Sequence, residues 1–236
     1  MKAMMKCDLI CMKSALRSTA LTAAIMAVVI CVGTGSTYVI MPCVTCGVTV
    51  TLLFNLLAFD EQNDWQRLRL TLPLSRDQVM EGRYTSCLAI VGIALAEGIA
   101  LTFACIAAAF ALRESGVGAF AQDVLLNADP RGLVLAGVAG VAIAIVMMAL
   151  TIPIAAKTGL TKAIRILPLA FVLMLVVFVG LGQGLGLKTD TGSSFVLWLQ
   201  TDTGMLVAML VLLVVACAVY AGSCALAKRF YARREF

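Results

Sequence analysis

Few residues of this chain are of a type and in a setting to do chemistry, and Glu97 is foremost among them. It sits inside the apolar run Leu95-Ala-Glu-Gly-Ile-Ala-Leu101, with no other ionisable side chain at comparable depth. A carboxylate held away from water is costly, so Glu97 must face other helices or a wet cavity, or carry a proton. Such a group serves as a contact for a cationic substrate, as a proton-coupling group, or as a hydrogen-bonding group between two chains. Equally, it is a protonated side chain bonded to a neighbouring carbonyl, Ser or Thr. Of the 9 cysteines, only Cys43-Val-Thr-Cys46 has a redox or metal spacing, and zinc would lack further ligands, since there is no His and no second CxxC. Packing as small hydrophobes is the reading for these thiols, with a disulfide or redox role the alternative at Cys43 and Cys46. Gly180-Leu-Gly-Gln-Gly-Leu-Gly186 lacks the strand, the following helix and the Lys-Ser/Thr that would cradle a nucleotide. With no His, no intramembrane Asp pair and no Ser-centred motif, no metal site and no catalytic residues are expected, and the chain is not expected to be an enzyme.

The elements that hold these residues are long and apolar. The chain has 236 residues, 13% charged, and a mean hydropathy of +1.02, which excludes an ordinary soluble domain. A bilayer core about 30 Å thick takes roughly 20 apolar residues to cross as a helix, because the backbone must satisfy its own hydrogen bonds there. Stretches such as Leu133–Leu150 show none of the alternating polarity of a membrane β-barrel. The expectation is an all-α integral membrane protein of six transmembrane helices, near 18–33, 38–59, 84–112, 133–156, 166–187 and 205–226, forming a single membrane domain over 1–236. Basic residues ahead of the first span, followed at once by a second span, point to a membrane anchor, not a cleaved signal.

Orientation follows from Lys and Arg, which are retained on the cytoplasmic side. They gather at the N-terminus (Lys2, Lys6, Lys13, Arg17), between the second and third spans (Arg67, Arg69, Arg76, Arg83), between the fourth and fifth (Lys157, Lys162, Arg165) and at the C-terminus (Lys228, Arg229, Arg233, Arg234). The opposite side holds only Arg113, Arg131 and Lys188, beside several acids. Both termini are therefore expected inside, N-in and C-in, in the cell membrane. The net charge of +5 is a topology signal, and no nucleic-acid partner is expected, because the cations are scattered over helix ends. Small residues recur at helix-packing spacing, as in Gly92 and Ala96 or Gly140 and Ala144, consistent with a packed bundle.

The one patterned polar connection is 60–83, between the second and third spans. Asp60 suits the cap of a short helix whose Trp65, Leu68 and Leu72 recur at i, i+3 and i+7, and Pro73 stops that element. Ser75 and Gln78 then form a capping box for a helix running straight into the third span. The amphipathic piece either lies in the lipid interface or inserts into a groove of a soluble partner. Its mixed charges argue against simple attraction to anionic lipid.

Phe-Asp-Glu-x-Asn-x-Trp (59–65), followed by Thr-Leu-Pro-Leu-Ser-Arg (71–76) and Arg-Tyr (83–84), resembles the signature of the small six-span permeases of ABC-2 type exporters. Asp8 in the basic N-terminal lead and the layout of spans agree with it. The resemblance implies a permease subunit that forms the translocation pathway of an ATP-driven exporter. It implies a coupling helix on the cytoplasmic face, docking into an ABC ATP-binding subunit through Asp60, Glu61, Asn63, Trp65 and Leu68, with Leu72, Pro73 and Arg76 in the turn back to the membrane. Two such chains, identical or similar, would make one pathway. ATP and magnesium would be bound by the partner subunit, with no cofactor on this chain. Outer re-entrant helices would fall on 188–204. The alternatives from the residues alone are an ion- or proton-coupled secondary transporter using Glu97, and a non-transporting membrane assembly protein. On either, Asp60 and Ser75 are plain caps and Trp65 an interfacial anchor.

Overall fold

The computed structural model describes residues 8, 10–61, 76–113, 121–122, 124–125, 128–159, 198 and 201–232. Five long helices carry the architecture: α1 Lys13–Thr34, α2 Ile40–Glu61, α3 Arg76–Ala111, α4 Pro130–Thr158 and α5 Asp202–Ala232. All five are long and apolar enough to cross a membrane, and no strand occurs among the described residues. The span expected at 166–187 lies outside them, as do 188–197 and 199–200 of the expected outer re-entrant segment.

Local chemistry sets the ends. α1 closes on Gly35, whose φ of 62° puts it in the left-handed region open to glycine, and whose N–H donates to the Cys31 carbonyl at 3.0 Å. α4 opens on Asp129, which accepts from the Gly132 N–H at 3.3 Å, and on Pro130, which needs no donor there. Tyr38, just before α2, accepts the Asp129 N–H through its hydroxyl at 3.1 Å and so ties the two starts together.

α2 is the centre of the bundle. Its Val44, Val48, Leu52 and Leu56 are buried at helical spacing, against Cys87, Ile90 and Ala94 of α3 and Ala144, Met148 and Ile152 of α4. α4 reaches α2 closely because it is notched: a Cβ on Gly140 would come 2.7 Å from the Pro42 Cα, and one on Gly137 would be 2.8 Å from the Met41 Cε. Gly92, whose spacing equally suggested a packing notch, has nothing within 4 Å among the described residues. α1 lies outside, with Leu21, Ile25, Val29 and Val32 exposed. In lipid such exposure costs nothing, so helix contacts here are decided by close packing and hydrogen bonds.

The contacts also give direction. α4 and α5 run the same way, since Arg131 meets Asp202 at 2.8 Å, Ser223 meets Ala149 and Lys157 lies over the Phe230 ring. α3 runs against α5, with Glu81 beside Lys228. α1 and α3 are parallel, with Asp8 beside Arg83 at one end and Cys31 and Cys105 in the wall of one cavity further along.

Candidate functional site

α3 begins at Arg76, where the polar connection ends, and at 36 residues is about 54 Å long, well beyond the thickness of a bilayer. Its first turns carry polar side chains that fasten it to three other parts of the chain. Asp8, one turn ahead of α1, accepts the Ser86 hydroxyl at 2.9 Å and pairs with Arg83 at 4.0 Å; the two charged side chains are only 3% and 6% exposed. Glu81 pairs with Lys228 of α5 at 2.6 Å, nearer the surface. A buried ion pair fixes geometry strongly, because removing one partner leaves the other charge out of water, whereas a half-exposed pair contributes far less.

Between these pairs runs a relay of hydroxyls. Pro153 interrupts α4 and has no N–H to give to the carbonyl four residues back, that of Ala149. Ser223 of α5 donates to this carbonyl instead, at 2.6 Å. With the Ser223 proton so used, the Tyr84 hydroxyl, 2.8 Å away, donates to the Ser223 oxygen. Tyr220 donates to the Tyr84 carbonyl at 2.8 Å, and the two rings meet edge-on at 4.9 Å. Such ring contacts contribute about 0.5–1.5 kcal/mol beyond burial. α3, α4 and α5 are thus joined at one level, and α1 is joined to α3 beside it.

Of the residues singled out from the sequence, Asp60 and Glu61 form the last turn of α2. Asp60 therefore lies inside a helix instead of capping a new one, because the apolar span continues into its polar edge without a breaker. Arg76 opens α3. Asn63, Trp65, Leu68, Leu72, Pro73 and Ser75 lie outside the described residues. Glu97 is half-buried in the middle of α3, and its Oε1 is enclosed with no hydrogen-bond partner among the described residues. The next residue, Gly98, presses on α2, where a Cβ would come 2.9 Å from the Thr45 Oγ1. Thr45 and Thr49 of α2 likewise have enclosed hydroxyls without a conventional partner. The helix-to-helix approach at Gly98 suits a weak Cα–H···O contact to Thr45. Cys43 and Cys46 are free thiols on α2, one exposed and one half-buried. No cluster of metal-ligating side chains occurs among the described residues.

The sequence reading missed Glu81, Ser86, Tyr220 and Ser223, counted Lys228 only as a charge, and took Arg83 as a charge and as part of the Arg-Tyr motif. Asp8 carried a signal as the one acid in a basic lead, and Pro153 as a proline within an apolar span, which leaves a carbonyl in need of a donor. Nothing local marks Ser223 as that donor.

A family profile described as ABC-2 family transporter protein matches residues 3–232. No curated protein and no solved structure matches the chain.

Proposed function

Because this chain belongs to the ABC-2 family of transporter proteins and is a multi-pass membrane component of a transport system, we propose that it is the permease subunit of an ATP-driven exporter in the cell membrane. The polar connection 60–83 is its coupling segment, docking into a separate ATP-binding subunit that binds ATP and magnesium and performs the hydrolysis. The observation that carries this reading is where the connection leads. It opens directly into a 36-residue helix whose first turns are bonded to Asp8, just ahead of α1, through Ser86 and Arg83, and to Ser223 of α5 through Tyr84, Ser223 in turn holding the Ala149 carbonyl of α4. A push delivered at 62–75 therefore meets a base able to carry it into the bundle.

Six spans with both termini inside fit the same layout. Thr158 of α4 and Asp202 of α5 sit at opposite ends of the bundle, since α4 and α5 run the same way. A crossing by the apolar stretch 166–187 is the arrangement that joins them. Lys13, Arg17, Arg83, Lys157 and Lys228 then share the cytoplasmic end. A second permease chain, the same or similar, completes the pathway, and the half-buried carboxyl of Glu97, without a partner among the described residues, is a group available to that pathway or to the second chain.

The test is affinity purification of the tagged chain from membranes in mild detergent, comparing wild type with Asp60→Ala plus Trp65→Ala. A nucleotide-hydrolysing subunit is expected to co-elute with wild type and to be lost from the variant, while the variant remains inserted and elutes at the same volume. Failure of any such subunit to co-elute with wild type refutes the reading and leaves a Glu97-centred secondary transporter in its place.

A further inference from the structure

Between α4 and α5, at the end where Lys157 stands, the two helices leave a groove of about 560 Å³. Pro153 and Ser223 are at its base, and the exposed Val219 and Leu226 at its edge. Gly222 keeps it open, since a Cβ there would meet nothing within 4 Å among the described residues. The wall runs from Ala149 to Lys157 along α4, about 12 Å, and from Val219 to Phe230 along α5, about 16 Å. One leaflet's share of the bilayer core is about 15 Å, so the groove has the depth of a single leaflet. Its base suits hydrocarbon: Ser223 gives its proton to the Ala149 carbonyl and accepts that of Tyr84, so neither the carbonyl nor the hydroxyl faces the groove unpaired.

The mouth is positive. Lys157, in the last turn of α4 and exposed, lies with its Nζ 5.3 Å from the centroid of the Phe230 ring. The ring face attracts the ammonium and holds it at the end of the groove. No acid pairs with Lys157 among the described residues, whereas Lys228 at the same end is taken by Glu81. Arg229, next to Phe230 and exposed, adds a second cation. Both helices end here on the negative pole of their dipoles, about half a charge each, which the two cations outweigh.

We propose that this groove binds one anionic phospholipid of the cytoplasmic leaflet, with an acyl chain lying over Gly222 between α4 and α5 and the phosphate on the Lys157 ammonium beside Arg229. Charge selects the occupant. A zwitterionic lipid brings a cation of its own to a mouth that already has two, whereas an anionic one completes the pair that Lys157 lacks. In that place the chain covers the hydrogen bond between Ser223 and the Ala149 carbonyl, and the lipid becomes part of the joint between α4 and α5. The proposal takes from the transport reading only the assignment of this end to the cytoplasmic side. Its test contains no ATP-binding subunit, so its failure and the failure of the exporter reading are separate results.

The experiment uses the full chain, purified in mild detergent and stripped of lipid, then titrated with dioleoyl phosphatidylglycerol or dioleoyl phosphatidylcholine and read by native mass spectrometry as lipid retained per chain. Wild type is expected to hold one phosphatidylglycerol about fivefold more tightly than phosphatidylcholine, the preference that a lysine contact supplies. Lys157→Gln is expected to abolish the preference. Gly222→Leu, which sets a branched side chain where the acyl chain lies, is expected to weaken both lipids about tenfold. Lys13→Gln with Arg17→Gln, at the same end but outside the groove, is expected to leave the preference as in wild type. Equal retention of the two lipids by wild type overturns the proposal, as does a preference that survives Lys157→Gln or falls as far in the Lys13 and Arg17 variant. Displacement of phosphatidylglycerol by an equal concentration of glycerol phosphate, the head without its chains, overturns it in favour of a plain anion site. A wild type that elutes as a dimer split by Gly222→Leu overturns it in favour of a second chain seated in the groove. Lys157 is exposed, so the wild-type and Lys157→Gln arms decide the matter should Gly222→Leu fail to insert.

Discussion

Removing Asp8 tests whether the base of α3 is held as its geometry indicates. Asp8→Ala takes away the acceptor of the Ser86 hydroxyl and leaves Arg83, 6% exposed, without its acid. Breaking a buried pair from one side costs about 3–5 kcal/mol, because the remaining charge stays out of water. With 4.0 Å between Arg83 and Asp8, the low end of that range, about 3 kcal/mol, is expected. For a protein of this size each kcal/mol moves the midpoint by about 2–4 °C, so the fall is about 6–12 °C. Thermal unfolding in detergent, followed with a fluorogenic maleimide that reports exposure of buried thiols such as Cys31 and Cys87, measures it. The second arm is Asp8→Ala with Arg83→Met, which removes both charges and keeps apolar volume. Half or more of the loss is expected to return, since replacing a buried pair by well-packed apolar groups is often neutral. A double variant that falls as far as the single one, or a single variant that falls by less than about 2 °C, refutes the claim that the pair is what secures α1 to α3.

Two further outcomes are expected in the same assay. Ser223→Ala leaves the Ala149 carbonyl without its donor and lowers stability by about 1–2 kcal/mol, in keeping with hydrogen bonds between membrane helices. In a Pro153→Ala background, where the backbone can supply that donor itself, the same substitution costs half as much or less, and an undiminished cost would show the serine is not replacing the missing N–H. Glu97→Leu removes an enclosed carboxyl that has no partner among the described residues and is expected to raise stability by about 1–3 kcal/mol; a fall would place a partner for Glu97 on 160–197 or on a second chain.

The helices themselves were legible because hydropathy alone demands them: five of the expected spans overlap α1 to α5, and most helix ends run past the expected limits into polar edges, furthest at the start of α3, while α2 begins at Ile40 and α3 ends at Ala111, just inside them. The extensions are physical, since the hydrogen-bonded ladder of a helix does not stop where lipid does. Asp60 illustrates the limit. An acid after an apolar run reads as a cap, but without a proline or glycine beside it α2 continues through Glu61. Gly92 and Gly140 illustrate another, since identical spacing cannot tell a face that meets a helix from one that does not. The cross-helix bonds were least legible. Ser223 and Ala149 are brought together by the direction of α4 and α5, and the composition around Ser223 is the same small apolar mixture found throughout the span.

Pro153 changes what bending means in this bundle. In an ordinary proline-broken helix the vacant carbonyl turns to any nearby donor, and the helix flexes about that point alone. Here the carbonyl is held by a neighbouring helix through Ser223, and the same serine takes the Tyr84 hydroxyl. A bend of α4 at this level pulls the Ala149 carbonyl away from Ser223, and the released hydroxyl is then free to reorganise its contact with α3. Flexing of α4 at this level and parting of α4 from α5 are therefore coupled through one serine, and the contact of α5 with α3 is drawn into the same movement.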